Sequence, residues 1–364
     1  MSLLLLMMLV LSASCLAWAA PLEEIRQILR EKSLKPPAES QLAAMSDENL
    51  LQKLREIDNY ARYFESDEYH SPMSRRESWV GIGADLVEQD GKFFLAVYHG
   101  GAAELAGIAD HSRLIEIDGK SVAHVDVESI ADSLKGMEGT SVSLFVEQPG
   151  GRMSRFQVER EMFSPLDVEP ITPGVHQVLR IRRFVGGLTK SALLATLDFL
   201  GRESRAATGA RSDVLIIDLR DAGGGDLYEA FDVAGLFLPQ GAILGTMCRR
   251  ADDNREIRST DGEKFTMPMA LLVGPDTASA AEVFAGTLQQ YGRAKLIGQR
   301  TFGKCVTQTD VHLSDGSVLR YTNAEVRLPD GTSCSGVGLQ PDRDVRDAEL
   351  RDLTWLVSEA DALL

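Results

Sequence analysis

Ser279 and Lys304 are the residues whose types and surroundings could carry out nucleophilic chemistry. Ser279 follows an apolar run, Met269–Val273, and a turn, and it precedes a helical pattern, so it is predicted to begin a helix. Backbone N–H groups and the helix dipole at that position would stabilise an alkoxide. Lys304 follows a second short strand and a glycine-bearing turn, and a deprotonated lysine can act as general base for a serine. That role requires burial to lower the lysine pKa from about 10.4. Each pKa unit of that shift costs about 1.4 kcal/mol of free energy. The alternative interpretation of Ser279 is an ordinary N-cap residue, and that of Lys304 is a solvated surface lysine.

The sequences around these two residues resemble those of the C-terminal processing peptidases, also called tail-specific proteases. The two segments read T-A-S-A-A-E and T-F-G-K-C-V-T-Q. The resemblance implies that Ser279 is the nucleophile, that Lys304 is the general base and that Gln308 is a supporting amide. Two residues depart from the family pattern: Ala281 replaces a common serine, and Cys305 replaces a glycine.

The lysine segment also resembles a phosphate-binding loop, since residues 298–305 read G-Q-R-T-F-G-K-C. Such a loop needs a serine or threonine after the lysine to hold magnesium, and a helix directly after it. Cys305 is a poor magnesium ligand, and the residues that follow show no helical apolar period. They lead through the turn Asp315-Gly316 into a second strand-like run, which predicts a hairpin and argues against nucleotide binding.

A glycine-rich loop is predicted to complete the site. The apolar run 214–219 is typical of a parallel strand buried on both faces, and it leads into the glycines 223–225 and then a helical stretch. Open α/β sheets place their sites at the carboxyl ends of strands, and acyl transfer needs N–H donors for the developing oxyanion. The segment D-L-R-D-A-G-G-G resembles the peptidase family's D-L-R-x-N-x-G-G loop. The resemblance implies an oxyanion hole made by the N–H groups of Gly225 and Ala280, while Arg220 is interpreted as a structural ion-pair partner.

Residues 78–160 show short alternating strands and glycine turns, and they resemble a PDZ domain. The landmarks read V-G-I-G, A-G-I, I-D-G and G-M-E-G-T, and the departure is D-H-S, where the pattern usually has a Gly-Asp turn. PDZ domains bind chain ends by adding the peptide as an extra strand and capturing its carboxylate on backbone N–H groups. The resemblance implies that Gly81, Ile82 and Gly83 form the peptide-binding loop. A strand-entry turn is the alternative interpretation of these glycines.

The first 20 residues are predicted to be a cleaved secretory signal, because an apolar run, 3–11, precedes the cleavage pattern A-W-A. The predicted location is therefore periplasmic or secreted. An uncut membrane anchor is one alternative, although the run is short for a full span. A lipoprotein signal ending at Cys15 is another.

The remaining cysteines, Cys248, Cys305 and Cys334, are odd in number, so one must be unpaired within the chain. Three buried apolar thiols are the favoured interpretation. The alternative hypothesis is a disulfide between Cys305 and Cys334, which could couple redox state to Lys304.

Composition excludes several classes of function. The formal net charge is −16, and an acidic chain repels nucleic-acid phosphates, so no nucleic-acid partner is predicted. The six histidines form no H-E-x-x-H motif, and the chain has no paired C-x-x-C, so neither a metal nor a cofactor is predicted.

The predicted fold class is α/β, with a crotonase/ClpP-like protease core, a PDZ domain and an N-terminal helical segment; the core type is implied by the resemblance. The predicted segments are a signal (1–20), the N-terminal helical segment (21–77), the PDZ domain (78–161), the protease core (162–345) and a C-terminal helix (346–364). The predicted function is a serine endopeptidase with a Ser-Lys dyad, whose PDZ domain guides cleavage of unstructured C-terminal tails. Homo-oligomers and an activating adaptor are open questions. Two alternatives remain: a non-catalytic PDZ scaffold on a protease-like core, and an acyl-CoA enzyme of the crotonase type.

Overall fold

A computed structural model describes residues 20–69, 79–89, 91–98, 100–163, 167–171, 176–206, 214–250 and 253–364. The predicted signal lies outside the described residues apart from residue 20. The chain divides into two compact units, one within Met1–His70 and Gln308–Asn323 and the other within Ser71–Thr307 and Ala324–Leu364. Among the described helices, none is long and apolar enough to cross a membrane.

The elements are numbered in chain order. The helices are α1 (Leu22–Lys32), α2 (Glu39–Ala43), α3 (Leu50–Ile57), α4 (Ser66–Tyr69), α5 (Ala102–Leu105), α6 (Val127–Leu134), α7 (Thr189–Ala206), α8 (Leu227–Gly235), α9 (Ala280–Gln290), α10 (Asp347–Leu350) and α11 (Leu353–Leu363). The strands are β1 (Arg62–Phe64), β2 (Trp79–Gly81), β3 (Ala84–Gln89), β4 (Lys92–Val97), β5 (Ser112–Ile117), β6 (Lys120–Ser121), β7 (Ser141–Glu147), β8 (Met153–Glu159), β9 (Glu161–Phe163), β10 (Val168–Ile171), β11 (Gln177–Ile181), β12 (Leu215–Asp218), β13 (Ile243–Arg249), β14 (Asn254–Arg258), β15 (Met269–Val273), β16 (Lys295–Gly298), β17 (Val306–His312), β18 (Val318–Arg327) and β19 (Arg343–Asp344).

The first unit packs the helices α1 to α3 on the β17–β18 hairpin. The apolar stripe of α1 is buried, and its Ile25 and Leu29 join Leu319 and Tyr321 of β18 in one core. β1 extends this hairpin by pairing antiparallel with β18. The strand β17 stands where a phosphate-binding loop would need a helix, so the structure contradicts the nucleotide-binding alternative.

The second unit is built on a sheet with the strand order β10-β11-β12-β15-β16-β19. The last five strands in this order run parallel to one another, and β10 is antiparallel to β11. The side chains of β12 alternate between two cores. Leu215 and Ile217 pack with α8 and α9, whereas Ile216 packs with α11. The uniformly apolar run 214–219 follows from this burial on both faces.

Residues 79–163 form their own antiparallel sheet, with the order β3-β4-β5-β7-β8 and β6 paired to β5. Its core includes Ile82, Leu95, Leu144 and Val158. The alternating apolar residues of 93–98, 114–117 and 142–146 predict strands, and 102–106 and 127–134 predict helices. The structure has them as β4, β5, β7, α5 and α6. The helix α6 begins at Asp126, whose side chain accepts the Ser129 N–H as an N-cap at 2.8 Å.

The prolines of residues 161–174 predict a linker, but this prediction is wrong, because two strands lie within that range. β9 pairs antiparallel with β2, and β10 pairs antiparallel with β11 at the edge of the parallel sheet. Pro170 is compatible with β10 because an edge strand has one side without ladder partners. Pro170, one of the residues that suggested a linker, instead lies in an edge strand.

Candidate active site

The site lies where β12 and β15 end. The two strands are parallel neighbours, with Asp218 opposite Leu272, so the loops that follow them emerge at the same edge of the sheet. Thr277 joins the two loops, because its hydroxyl accepts the Gly274 N–H at 2.9 Å and donates to the Leu219 carbonyl at 2.7 Å. Thr277 is fully buried, and sequence reasoning did not single it out.

Ser279 stands at the start of α9, as predicted, but in an unusual backbone conformation. Its φ is 58° and its ψ is −123°, values that cost a non-glycine residue on the order of 1–3 kcal/mol. An N-cap residue ordinarily has extended backbone and accepts the N–H three residues on with its side-chain oxygen. Here the Glu282 N–H donates to the Ser279 carbonyl at 2.9 Å. Ser279 is therefore the N-cap residue of α9, but its side chain makes no capping hydrogen bond and its backbone is not that of an ordinary N-cap.

Glu282 holds Ser279 and Lys304 next to each other. Its Oε2 accepts the backbone N–H groups of Ser279 at 2.9 Å and of Lys304 at 2.7 Å. Its Oε1 accepts the Gly303 N–H at 2.7 Å and the Thr301 hydroxyl at 2.5 Å. The carboxylate is fully buried, and these four donors satisfy it. The sequence showed Glu282 as a motif residue, but this joining role required the tertiary structure.

The glycine loop lies directly against Ser279. A Cβ placed on Gly224 would stand 2.7 Å from the Ser279 Cβ and 3.0 Å from the Ala280 nitrogen, so only glycine permits this approach. Gly225 has a φ of 124°, and a Cβ there would stand 3.0 Å from the Phe184 carbonyl carbon. The structure thus brings together the predicted nucleophile and the segments that carry both predicted oxyanion donors, Gly225 and Ala280.

Lys304 is half-buried. The next residue, Cys305, forms a disulfide with Cys334, and their Cα atoms are 5.3 Å apart. The favoured interpretation of three buried thiols is wrong, because the fold brings these two cysteines together; Cys248 is free. Gln308 lies in β17, within the other compact unit. Its relation to Lys304 stays a prediction.

Arg220 belongs to a buried ion-pair network, as predicted. It donates to both Asp218 oxygens at 2.8 Å and to the Leu350 carbonyl at 2.6 Å, while Arg180 donates to the Asp218 Oδ2 at 2.9 Å. Burial opposes the charge of Asp218, yet Arg220 and Arg180 hold the pKa of that carboxyl well below its ordinary value. This network fixes the end of β12, from which the glycine loop begins.

The loop predicted to bind peptides, Gly81 to Gly83, connects β2 to β3. The Ile82 side chain is buried, and its carbonyl accepts the Ala103 N–H at 2.7 Å. Gly83 has a φ of 68°, and a Cβ there would lie 2.7 Å from the Gly101 Cα. Glycine at position 83 is therefore required by packing, and its role in peptide binding stays a prediction.

The site therefore combines a serine in a strained turn, a neighbouring lysine and a glycine loop at the ends of two parallel strands. Residues 178–345 match the model of peptidase family S41. This match agrees with the family resemblance of the motifs around Ser279 and Lys304.

Two curated relatives are also similar to this chain. The chain is 29% identical over 329 residues to a protein of Staphylococcus aureus named "Probable CtpA-like serine protease", covering 88% of this chain and 63% of the relative. It is 28% identical over 312 residues to the protein of the same name from Staphylococcus haemolyticus, covering 83% of this chain and 60% of the relative. The chain thus spans less than two thirds of the length of these curated relatives.

Two solved structures share the fold. The photosystem II D1 C-terminal processing protease matches with a TM-score of 0.60 and 23% identity, over 93% of this chain and 95% of its own. Mature CPAF complexed with lactacystin matches with a TM-score of 0.53 and 12% identity, over 94% of this chain and 96% of its own. At these identities the likeness concerns the fold.

Proposed function

We propose that this protein is a serine endopeptidase that uses a Ser279–Lys304 dyad to process the C-terminal tails of other proteins. The observation that carries the proposal is the Glu282 carboxylate oxygen shared by the N–H groups of Ser279 and Lys304. That contact brings the backbones of the two residues together, and the hydroxyl and amine that their side chains carry suit acyl transfer. The strained Ser279 backbone and the adjacent Gly224 add support.

In the proposed reaction the Ser279 Oγ attacks the scissile carbonyl carbon. Neutral Lys304 takes the hydroxyl proton and returns it to the leaving amine, so that an acyl-enzyme remains. A water molecule, deprotonated by the same lysine, attacks the ester and releases the new carboxyl end. The N–H groups of Gly225 and Ala280 bind the oxyanion in both steps, and losing one such donor lowers the rate about 10²–10³-fold. Gln308 is proposed to orient Lys304.

Tail recognition is assigned to residues 79–163, proposed to be a PDZ domain. Among the described strands, β3 pairs only with β4, so it offers an edge that a peptide could extend. The loop Gly81 to Gly83 enters this edge strand and is proposed to receive the peptide carboxylate on its N–H groups. The parallel sheet packs against α8 and α9 on one face and against α11 on the other. This arrangement supports the proposal of a crotonase/ClpP-like core.

The proposed location is periplasmic or secreted. A disulfide between Cys305 and Cys334 supports an oxidising compartment. The predicted signal in residues 1–20 is consistent with export. Protein tails are the proposed partners, with homo-oligomers or an activating adaptor as further ones.

The test is cleavage of a tail-bearing protein and of a short fluorogenic peptide, followed from pH 6 to 10, together with fluorophosphonate labelling of the serine. Wild-type activity should rise towards alkaline pH as the lysine loses its proton. Ser279→Ala should abolish both cleavage and labelling. Lys304→Arg keeps the positive charge but cannot supply a base, so it should lose activity about 10³-fold or more.

The matched control is Lys295→Ala, which removes a largely exposed lysine that pairs with Asp342 at 3.5 Å. It should retain wild-type activity. Cleavage that survives both Ser279→Ala and Lys304→Arg would refute the dyad. Tail binding with neither cleavage nor labelling would instead support the non-catalytic scaffold.

A further inference from the structure

An ionic contact joins the small antiparallel sheet to the glycine loop. His111, in the turn before β5, lies with its Nε2 3.6 Å from the Asp221 Oδ2 and 3.8 Å from the Asp110 Oδ2. Asp110 is itself anchored, because it accepts the Val97 N–H at 2.8 Å and pairs with Arg180 at 2.7 Å. His111 therefore stands between a fixed carboxylate and one on the loop next to Ser279.

The two facing atoms of this contact need an explanation. Within the described part of the chain, the His111 Nε2 and the Asp221 Oδ2 are buried without a hydrogen-bond partner. The exposed fraction of the Asp221 side chain is 8% and that of His111 is 12%. A buried carboxylate oxygen without a donor is costly, and a proton on the imidazole would supply the donor and the opposite charge.

Asp221 is connected to the nucleophile through its neighbours along the chain. The next residue, Ala222, accepts the Ala278 N–H on its carbonyl at 2.9 Å, and Ala278 precedes Ser279. Two residues further along the loop, Gly224 packs against the Ser279 Cβ. A shift of Asp221 would therefore be transmitted to the oxyanion loop and to the serine.

We propose that His111 is a proton-operated positioning residue: as an imidazolium it bridges Asp110 and Asp221 and holds the glycine loop against Ser279, and on losing its proton it releases the loop. The bridge deepens the proposed function, since its effect on catalysis rests on Ser279 being the nucleophile. Its existence does not depend on catalysis and can be measured separately.

Histidine is suited to this role because its charge changes between about pH 5 and 8. The charged groups around it come from several elements. Those on the side of the glycine loop are Asp221 and Asp218 with Arg220 at the end of β12, Asp276 in the turn after β15 and Arg351 after α10. The others are Asp110 in its own turn, Arg180 in β11, Glu104 in α5 and Glu169 in β10. Burial, followed by the charge of Asp221, raises the pKa of Asp276 to about 6. Asp276 is thus a second group that titrates nearby, and the experiment must separate the two.

The bridge is tested by a double-mutant cycle on urea unfolding with His111→Asn and Asp221→Asn. Asparagine tolerates the left-handed backbone of His111, whose φ is 57°. The expected coupling is about tenfold in the unfolding equilibrium constant at pH 6.5, about 1.4 kcal/mol, and under about twofold at pH 9. The same cycle in an Asp276→Asn background should keep this pH dependence.

The matched control is His124→Asn, since His124 is exposed and also has a positive φ, of 64°. It should show no coupling to Asp221. In peptide cleavage, the ratio of wild-type kcat to that of His111→Asn should fall from about fivefold at pH 6.5 to about one at pH 9, with KM unchanged within about twofold.

Coupling that is equal at both pH values, or that disappears with Asp276→Asn, would overturn the proposal. Coupling that is lost in EDTA and restored by ZnCl₂ would also overturn it, since the three side chains would then hold a cation instead of a proton. If the wild type has no peptidase activity, the proposed function fails, and the unfolding cycle still decides whether the bridge exists.

Discussion

Replacing Glu282 by glutamine tests whether a buried carboxylate assembles the site. Each Glu282 oxygen accepts two donors, Ser279 and Lys304 on one side and Gly303 and Thr301 on the other. Glutamine keeps one oxygen and puts an NH₂ group in place of the other, so two donors lose their acceptor in either orientation. Hydrogen bonds to a charged group contribute about 1.5–3 kcal/mol each, so Glu282→Gln should lower the free energy of unfolding by about 3–6 kcal/mol.

Activity should fall further than stability alone explains. A misplacement of about 1 Å in a catalytic group can lower the rate about 10²-fold, so kcat should drop by at least that factor under conditions where the variant is still folded. Circular dichroism in urea measures the stability, and peptide cleavage at low temperature measures kcat.

Glu229→Gln is the matched control. Glu229 is also a buried carboxylate, and it accepts the N–H groups of Gly187 at 2.8 Å and Lys190 at 2.6 Å near the start of α7. One acceptor is lost there, so stability should fall by about 1.5–3 kcal/mol while kcat stays near the wild-type value. Equal losses of kcat in both variants, or a Glu282→Gln protein as stable and active as the wild type, would refute the reasoning.

Three further predictions concern the same region. Removing the disulfide with Cys305→Ala and Cys334→Ala opens a loop closed across 29 residues and should lower the unfolding free energy by about 3–4 kcal/mol in urea; unchanged stability would contradict this. Because the pKa of Asp276 is raised to about 6 in the folded protein from 3.8, its charge destabilises the fold as pH rises from about 4 to 6. Asp276→Asn should therefore raise stability by about 1–2 kcal/mol at pH 8, an amount reduced for partial solvation, and should not raise it at pH 4. Gly224→Ala should lower kcat about 10²-fold because its Cβ would clash with the nucleophilic serine, whereas Gly223→Ala, which has open space around its Cβ, should retain activity.

Much of the core could be predicted from the sequence because its signals are local. The run Met269–Val273 is β15 with the predicted bounds, and the period of apolar residues also located β12, α8 and α9. A parallel strand buried on both faces has to be apolar throughout, so its sequence carries its assignment. The motifs around Ser279 and Lys304 are local signals as well, and they indicated the resemblance to the peptidase family.

Other features depend on contacts between residues that are far apart along the chain, and no local sequence pattern predicts these contacts. The strands β9 and β10 were mistaken for a linker, because short edge strands with proline lack a periodic signal. The Cys305–Cys334 disulfide could be proposed but not chosen, since cysteine counts do not fix pairing.

The sequence by itself therefore determined which residue types could react and which segments of the core are strands or helices. Only the tertiary structure decided which groups meet: the Glu282 carboxylate that gathers Ser279 and Lys304, and the contact between His111 and Asp221. The physical reason is that secondary-structure propensity and the period of apolar residues are set by a few neighbouring residues. The pairing of buried polar groups is decided when distant segments pack and each desolvated donor must find an acceptor.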